Sequence, residues 1–468
     1  MPHPTLRWLA AGLSLFTLVS CSSDTTPSPP QEPPVDMGPI LDATAESYVK
    51  LVLAVGQHDP DYVDAFYGPS AWREEAEVFR KPLDEISTQA DTLLAEISSP
   101  ITAAEKTELE KTGPGSTDSE DTVSEHGLLE ARRRFLVRQL EALQARVALL
   151  SGEKRSFDEE SQALYDAVAP KHEDSEFESV LQQLDAILRA QGFSDGSLIE
   201  RYEAFRKDFI IPPDKVDEVF QTAIDACRER TEAYIDLPED ENFEVEYVTD
   251  KPWSGYNWYQ GGYYSLIQVN TDLPIYIDRA LDLACHEGYP GHHVFNSLLE
   301  KRLVNQRGWI EYTVYPLFSP QSLIAEGSAN YGIEIAFPGQ ARRAFEEEVL
   351  FPLAGLDPSK TDVYYDVLAL LDQLKYADNE AARRYLDGEI DAEAAAEWLT
   401  RYAANTPARA EQRLKFIDKY RSYVINYNLG EDLVRGYVQR ETDARQADSP
   451  WPVFAELLST PSLPSDLL

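Results

Sequence analysis

The chain has 468 residues, enough for one large core or two smaller ones, and the composition of a folded protein: 43% hydrophobic, 26% charged and 11% aromatic. Its 42 Lys and Arg stand against 82 Asp and Glu, a formal net charge of −40. A surface that acidic repels phosphate backbones, which excludes nucleic acid as a partner, and the acidity itself reads as a solvated face.

Residues 1–20 carry one Arg and an apolar run from Trp8 to Val19, too short to cross a bilayer, and read as a signal peptide. Leu18-Val19-Ser20-Cys21 resembles a bacterial lipobox, which makes Cys21 the expected lipidation site. Export would leave the protein on the periplasmic face or cell surface, touching the membrane only through that anchor. Residues 21–40 are Pro-rich and read as a tether, with a catalytic domain expected over 41–468. Its helical half is placed at about 41–236 and its metal-bearing half at about 237–468.

Apolar residues recur at helical spacing over Ala43–Val55 and Asp61–Phe79, and Thr112–Ser119 reads as a surface loop. Leu128–Leu150 predicts a long amphipathic helix with Leu136, Leu140, Leu143, Val147 and Leu150 on one face. Glu178–Gln191 and Asp214–Asp236 predict further helices. The period then shifts, and Phe243–Val248 and Gly262–Asn270 alternate like strands. Tyr263–Asn270 is expected to be an edge strand that binds a substrate backbone by strand addition, at Tyr264, Ser265 and Leu266. A helix opened by Thr271-Asp272, with Pro274 in its first turn, follows, and almost everything to Asp443 reads as helix. The fold class is therefore mainly α with a small β-sheet. Cys227 and Cys285 are expected to be two separate buried thiols rather than a disulfide.

Of seven histidines, three fall in His286-Glu287-Gly288-Tyr289-Pro290-Gly291-His292-His293. Two imidazoles spaced i and i+4 on a helix, with a Glu between them, make the familiar zinc-hydrolase motif, but here Pro290 occupies the i+4 position. On a straight helix His286 and His292 would be separated by roughly 9 Å of rise, too far for one ion. Pro290 and Gly291 supply the necessary break, since proline removes a helical hydrogen bond and glycine tolerates unusual backbone geometry. His292 needs a smaller distortion than His293 and is the expected ligand. His293 is the alternative ligand, or a group behind the ligands. No G-x-S-x-G elbow, P-loop or G-x-G-x-x-G in a suitable setting supports another enzyme class.

HEGYPGHH resembles the H-E-x-x-P-G-H-H signature of a bacterial family known as domain of unknown function 885, whose members resemble zinc metallopeptidases of the gluzincin type. Ser47–Leu51, His58–Asp64, Pro252–Asn257 and Glu326–Tyr331 are similar to the family's segments, so the resemblance spans most of the mature chain. Ser328 departs from it, where many members have Trp. The resemblance implies a large helical metallopeptidase-like domain with a deep cleft. It implies Zn2+ held by His286, His292 and Glu326, with Glu287 as general base and a peptide as substrate. Small residues Gly327-Ser328-Ala329 would let Glu326 pack tightly against the metal helix, and Asn330, one turn on, would bond a ligand histidine. Arg421–Gly430 is similar to the family's C-terminal segment and offers Tyr427, Arg421 and Tyr423 to steady an oxyanion. The expected activity is zinc-dependent peptide hydrolysis. The alternatives are a metal hydrolase of other amides or esters, and a non-catalytic surface lipoprotein that binds peptides or a partner.

Overall fold

Helix α1 (Met37–Gly56) buries Leu41, Ala45, Tyr48, Val49, Val52 and Val55, the stripe a 3.6-residue period places on one face. It starts at Met37, ahead of the boundary expected at Leu41. The computed structural model describes residues 37–98, 125–251 and 253–468. The expected signal peptide, Cys21, most of the tether, the loop Thr112–Ser119 and Pro252 lie outside the described residues.

The long helix α2 (Glu125–Leu150) buries Leu136, Leu140, Leu143 and Val147 of the face read from its sequence, leaves Leu150 half-buried, and also buries Arg132 and Gln139. Those polar groups are paired: Arg132 donates to Glu311 and Asp42, each at 2.6 Å, and Tyr48 donates to Gln139 at 3.0 Å. A buried arginine with two carboxylates ties α1, α2 and the 310–313 turn together. Helix α3 (Val216–Glu232) packs its Cys227 side against the histidine-bearing segment. One hydrophobic core runs from Met37 to Leu467. Among the described residues, no helix is long and apolar enough to cross a membrane.

Three segments differ from their expected form. Asp61–Phe79 is not continuous helix: strand β1 (Val63–Phe66) pairs antiparallel with β5 (Val314–Pro316), and a helix begins only at Ser70. The strand's partner lies far along the chain, so its short apolar run carried no local signal of pairing. Likewise Thr271–Tyr276 is irregular, and helix α4 (Ile277–Leu283) starts later than Pro274 suggested. Asn270 caps that turn through the Asp272 N–H at 2.9 Å, and Tyr276 bridges to Ile210.

The third difference bears on substrate binding. Strands β2 (Asn242–Val248), β3 (Gly255–Gly261) and β4 (Tyr264–Asn270) form a sheet in the order β2-β4-β3. β4 pairs parallel with β2 and antiparallel with β3, so both of its edges are taken and it cannot add a substrate strand. β3 is an outer strand instead. It joins β4 through Gly261, Gly262 and Tyr263, all in the left-handed region with φ of 79°, 63° and 59°. Its mixture of Asn, Gln and aromatics hid it from the period-two pattern.

Cys227 and Cys285 form a disulfide, with Cα atoms 5.6 Å apart. Packing of α3 on the segment after α4 brings together two thiols expected to be separate, a proximity their spacing in the sequence does not encode.

Candidate metal centre

The backbone from α4 through His293 is not one kinked helix but two pieces. α4 runs into a π turn, Ala284–Gly288, the Tyr289–Pro290 peptide is cis, and helix α5 (His292–Leu299) begins after Gly291. The Gly291 N–H donates to the Cys285 carbonyl at 2.9 Å, folding the chain back on itself. A Cβ on Gly291 would sit 1.8 Å from the His286 carbonyl oxygen, so no other residue fits. The consequence is that the His286 and His292 rings lie 4.7 Å apart, centre to centre, and perpendicular at 89°.

Helix α6 (Pro320–Ala336) brings Glu326 to the same point. Its Oε2 lies 3.4 Å from His286 Nε2 and 3.7 Å from His292 Nε2. One donor atom from each of the three residues falls within 4.8 Å of the others. Tyr423 donates its hydroxyl to Glu326 Oε1 at 2.7 Å, whereas Oε2 is buried with no hydrogen-bond partner among the described residues.

Protonation follows from the hydrogen bonds behind the ring. Asn330, one turn after Glu326, donates its amide to the Tyr427 carbonyl at 2.9 Å, which fixes Oδ1 as an acceptor. That oxygen lies 2.9 Å from His286 Nδ1, so Nδ1 carries the hydrogen and, in the neutral ring, Nε2 turns a lone pair toward Glu326. A bare nitrogen and a buried carboxylate oxygen facing each other call for a cation between them. Two imidazoles and one carboxylate are a donor set that can hold a metal ion. The field has the same sign throughout. Burial pushes the His292 imidazole down, but Glu326, aided by Glu287 and Asp64, outweighs it and pushes it up to about 9. Burial pushes Glu326 up, and the two imidazoles in their protonated form, without a metal, more than reverse this and hold it below the usual carboxylate range.

Around this centre the remaining residues separate. Glu287 is buried, its carbonyl accepts from Asn257 Nδ2 at 2.7 Å, and a Cβ on Gly255 would meet its Oε1 at 3.0 Å. β3 therefore lies directly over that carboxylate. The half-buried Tyr427 makes no hydroxyl hydrogen bond among the described residues and senses the charges of Glu326 and Glu287. Arg421 is not brought to the cluster: its guanidinium donates to Glu160 at 2.6 Å. His293 also points elsewhere. Fully buried, it lies 2.9 Å from Ser265 Oγ and 2.8 Å from Glu241, which in turn accepts from Tyr289 at 2.6 Å. Ser265 is buried against His293, and Tyr264 and Leu266 occupy the opposite face of β4.

Two further residues belong here that the sequence did not single out as site residues. Asp64, on β1, accepts a hydrogen bond from the Tyr256 hydroxyl of β3. Burial pushes its carboxyl up to about 7; His292 opposes this and Glu326 and Glu287 add to it. The pairing of distant strands brings it near the cluster; in the sequence it stood only as the end of the family-like segment His58–Asp64, with no role attached.

Of the small residues after Glu326, Gly327 serves a different contact from the one expected. A Cβ there would lie 2.3 Å from the Gly430 carbonyl carbon, because α6 crosses helix α7 (Ile425–Arg445) at that point. Gly332, two residues beyond Asn330, also faces the histidine-bearing segment, where a Cβ would meet Pro290 at 3.1 Å.

No family model matches the sequence, and no curated protein matches it either. Among solved structures the chain is similar to the crystal structure of a "putative lipoprotein" from Colwellia psychrerythraea, at 14% identity and a TM-score of 0.50, over 86% of this chain and 79% of that one. It is also similar to a structure from Shewanella oneidensis described in the same words, with unknown function, at 13% identity and a TM-score of 0.44, over 91% and 81% of the two chains. The first of these likenesses shows a shared fold.

Proposed function

We propose that the protein is a zinc-dependent peptidase, exported and lipid-anchored at Cys21. The observation that carries this reading is the convergence of His286, His292 and Glu326 on one point, with Asn330 fixing the tautomer that leaves a lone pair directed inward. The HEGYPGHH resemblance supports the same three residues as ligands. The lipobox-like Leu18–Cys21 segment, and a structural neighbour described as a lipoprotein, support the anchor.

A zinc ion held by these residues supplies Lewis acidity toward a peptide carbonyl and toward water. Glu287, adjoining His286 and kept from bulk solvent by β3, takes the proton of the attacking water and delivers it to the departing amine. The Tyr427 hydroxyl, uncommitted among the described residues, donates to the oxygen on which negative charge develops. Tyr423 serves differently, since its hydroxyl orients Glu326. The outer strand β3 offers main-chain groups to an extended peptide in the role expected of β4.

Metal analysis and peptide hydrolysis of the purified protein test this together. The expected result is one zinc per chain, lost in His286→Ala and His292→Ala and kept in His293→Gln. Glu287→Gln should keep the metal and lose about 100-fold or more in rate. Full activity in Glu287→Gln would remove the hydrolase reading. Stoichiometric zinc without turnover of any peptide would leave a non-catalytic, peptide-binding lipoprotein.

A further inference from the structure

Arg421 closes the helix Pro407–Tyr420 and opens the 3-10 turn Arg421–Val424 that leads into α7. Its backbone lies at φ 54° and ψ −123°. Asp166 and Gln446, two other helix ends with positive φ, have ψ of 31° and 39°, the ordinary left-handed well that side-chain-bearing residues visit. Arg421 lies outside that well, in a region favoured by glycine, and a residue with a Cβ stays there only where its surroundings impose it. What imposes it here is Glu160, a buried carboxylate on the helix Phe157–Tyr165. Glu160 Oε2 accepts from Arg421 Nε at 2.6 Å. Oε1 accepts from the Ser422 N–H at 3.2 Å and from the Ser422 hydroxyl at 2.7 Å. The ψ of Arg421 sets the direction of the Ser422 N–H, so that bond stabilises the strained conformation directly. The next residue is Tyr423. Its ring meets Tyr165 of the same short helix edge-on at 6.0 Å, and its hydroxyl donates to Glu326 Oε1 at 2.7 Å. Glu326 is thereby left with Oε2 facing His286 and His292.

We propose that Glu160 is a positioning residue of the metal centre. It holds the strained Arg421–Ser422 turn, the turn aims Tyr423 at Glu326, and Tyr423 occupies one carboxylate oxygen of Glu326 so that the other is left for the metal. This rests on the metal site of the reading above, and not on what that site cleaves. Without the clamp the turn relaxes toward an ordinary backbone conformation, and the Tyr423 hydroxyl is drawn off Glu326. A carboxylate free to rotate must then be ordered when the ion binds, which weakens the grip of the three donors. Arg421, expected to steady an oxyanion, thus serves the site from behind and through the backbone.

Two substitutions at position 421 separate the clamp from stability at large. Arg421→Ala keeps a Cβ in the strained turn and removes the guanidinium that holds it, whereas Arg421→Gly removes the strain as well. Competition of the mature protein with a chromophoric chelator should show zinc held roughly 10-fold more weakly by Arg421→Ala, and Arg421→Gly should recover most of that loss. Glu160→Gln, which sets an amide against the same donors, should weaken zinc at least as far, and adding Arg421→Gly to it should restore much of the affinity. With Co2+ in place of zinc, the visible absorption of Arg421→Ala and Glu160→Gln should shift toward that of Tyr423→Phe. In a Tyr423→Phe background neither change should lower affinity further, since both act through that hydroxyl. If Glu160→Gln does not fold, the comparison of alanine with glycine at 421 decides alone. Equal zinc affinity in Arg421→Ala and Arg421→Gly would overturn the proposal, as would losses that add in full to that of Tyr423→Phe; either result, with zinc bound by wild type, leaves the metal site itself intact. Wild type that takes up neither metal would sink the metal reading, and this inference with it.

Discussion

A methyl group on Gly291 would collide with the His286 carbonyl, so the turn that aligns the imidazoles depends on a residue with no side chain at all. The tautomer of His286 depends in turn on one amide, that of Asn330. Replacing Asn330 by Ala should weaken zinc binding by about 10- to 100-fold, measured by competition with a chromophoric chelator, because Nδ1–H loses its acceptor and the ring its fixed orientation. Much of this was legible beforehand. His286, Glu287, His292 and the break between them are neighbours in the chain, and one ion held by both imidazoles would require that break. Glu326 came only with the family resemblance, since one glutamate among many has no local mark. Asp64 and Tyr256 escaped, because their meaning arises from a pairing of strands that spacing does not reveal. His293 illustrates the limit differently: its neighbour His292 is turned inward by the first turn of α5, while His293 turns outward to Glu241 and Ser265.

Elements were legible where one helix face buries its own stripe, as in α1, α2 and α3. They were not legible where the partner is remote, as in β1, or where polar and aromatic residues mix, as in β3. The crossing of α6 and α7 belongs to the second kind. Gly327 and Gly430 let the two backbones touch, and the same crossing sets Glu326 on one helix against Tyr423 and Tyr427 near the start of the other. Gly430→Ala, whose Cβ would lie 2.7 Å from the Leu323 carbonyl oxygen, should force the helices apart. We expect a loss of about 1–3 kcal/mol in chemical denaturation and a matching fall in zinc affinity, with the Asn330–Tyr427 contact lengthened.

At the scale of the whole molecule, an excess of acid reaches into the core as well as the surface. Glu346 is fully buried near Asp278 and Asp282, with Arg342 donating to it at 3.1 Å. Burial pushes its carboxyl up to about 7, with Arg342 opposing. Being raised above its unfolded value, this group contributes stability that is full below about pH 4.5 and is lost as pH rises through about 7. Thermal melts between pH 5 and pH 8 should therefore show wild type losing ground relative to Glu346→Gln, which has no proton to release. Parallel curves would mean that the carboxyl stays charged throughout. The Cys227–Cys285 bridge acts on a similarly broad scale. It bolts the backbone immediately ahead of His286 to α3, so rigidity at one donor is borrowed from a covalent link made only in oxidising surroundings. Protein harvested from a reducing cytosol would carry every donor and lack the bolt, and its grip on metal would understate that of the oxidised chain.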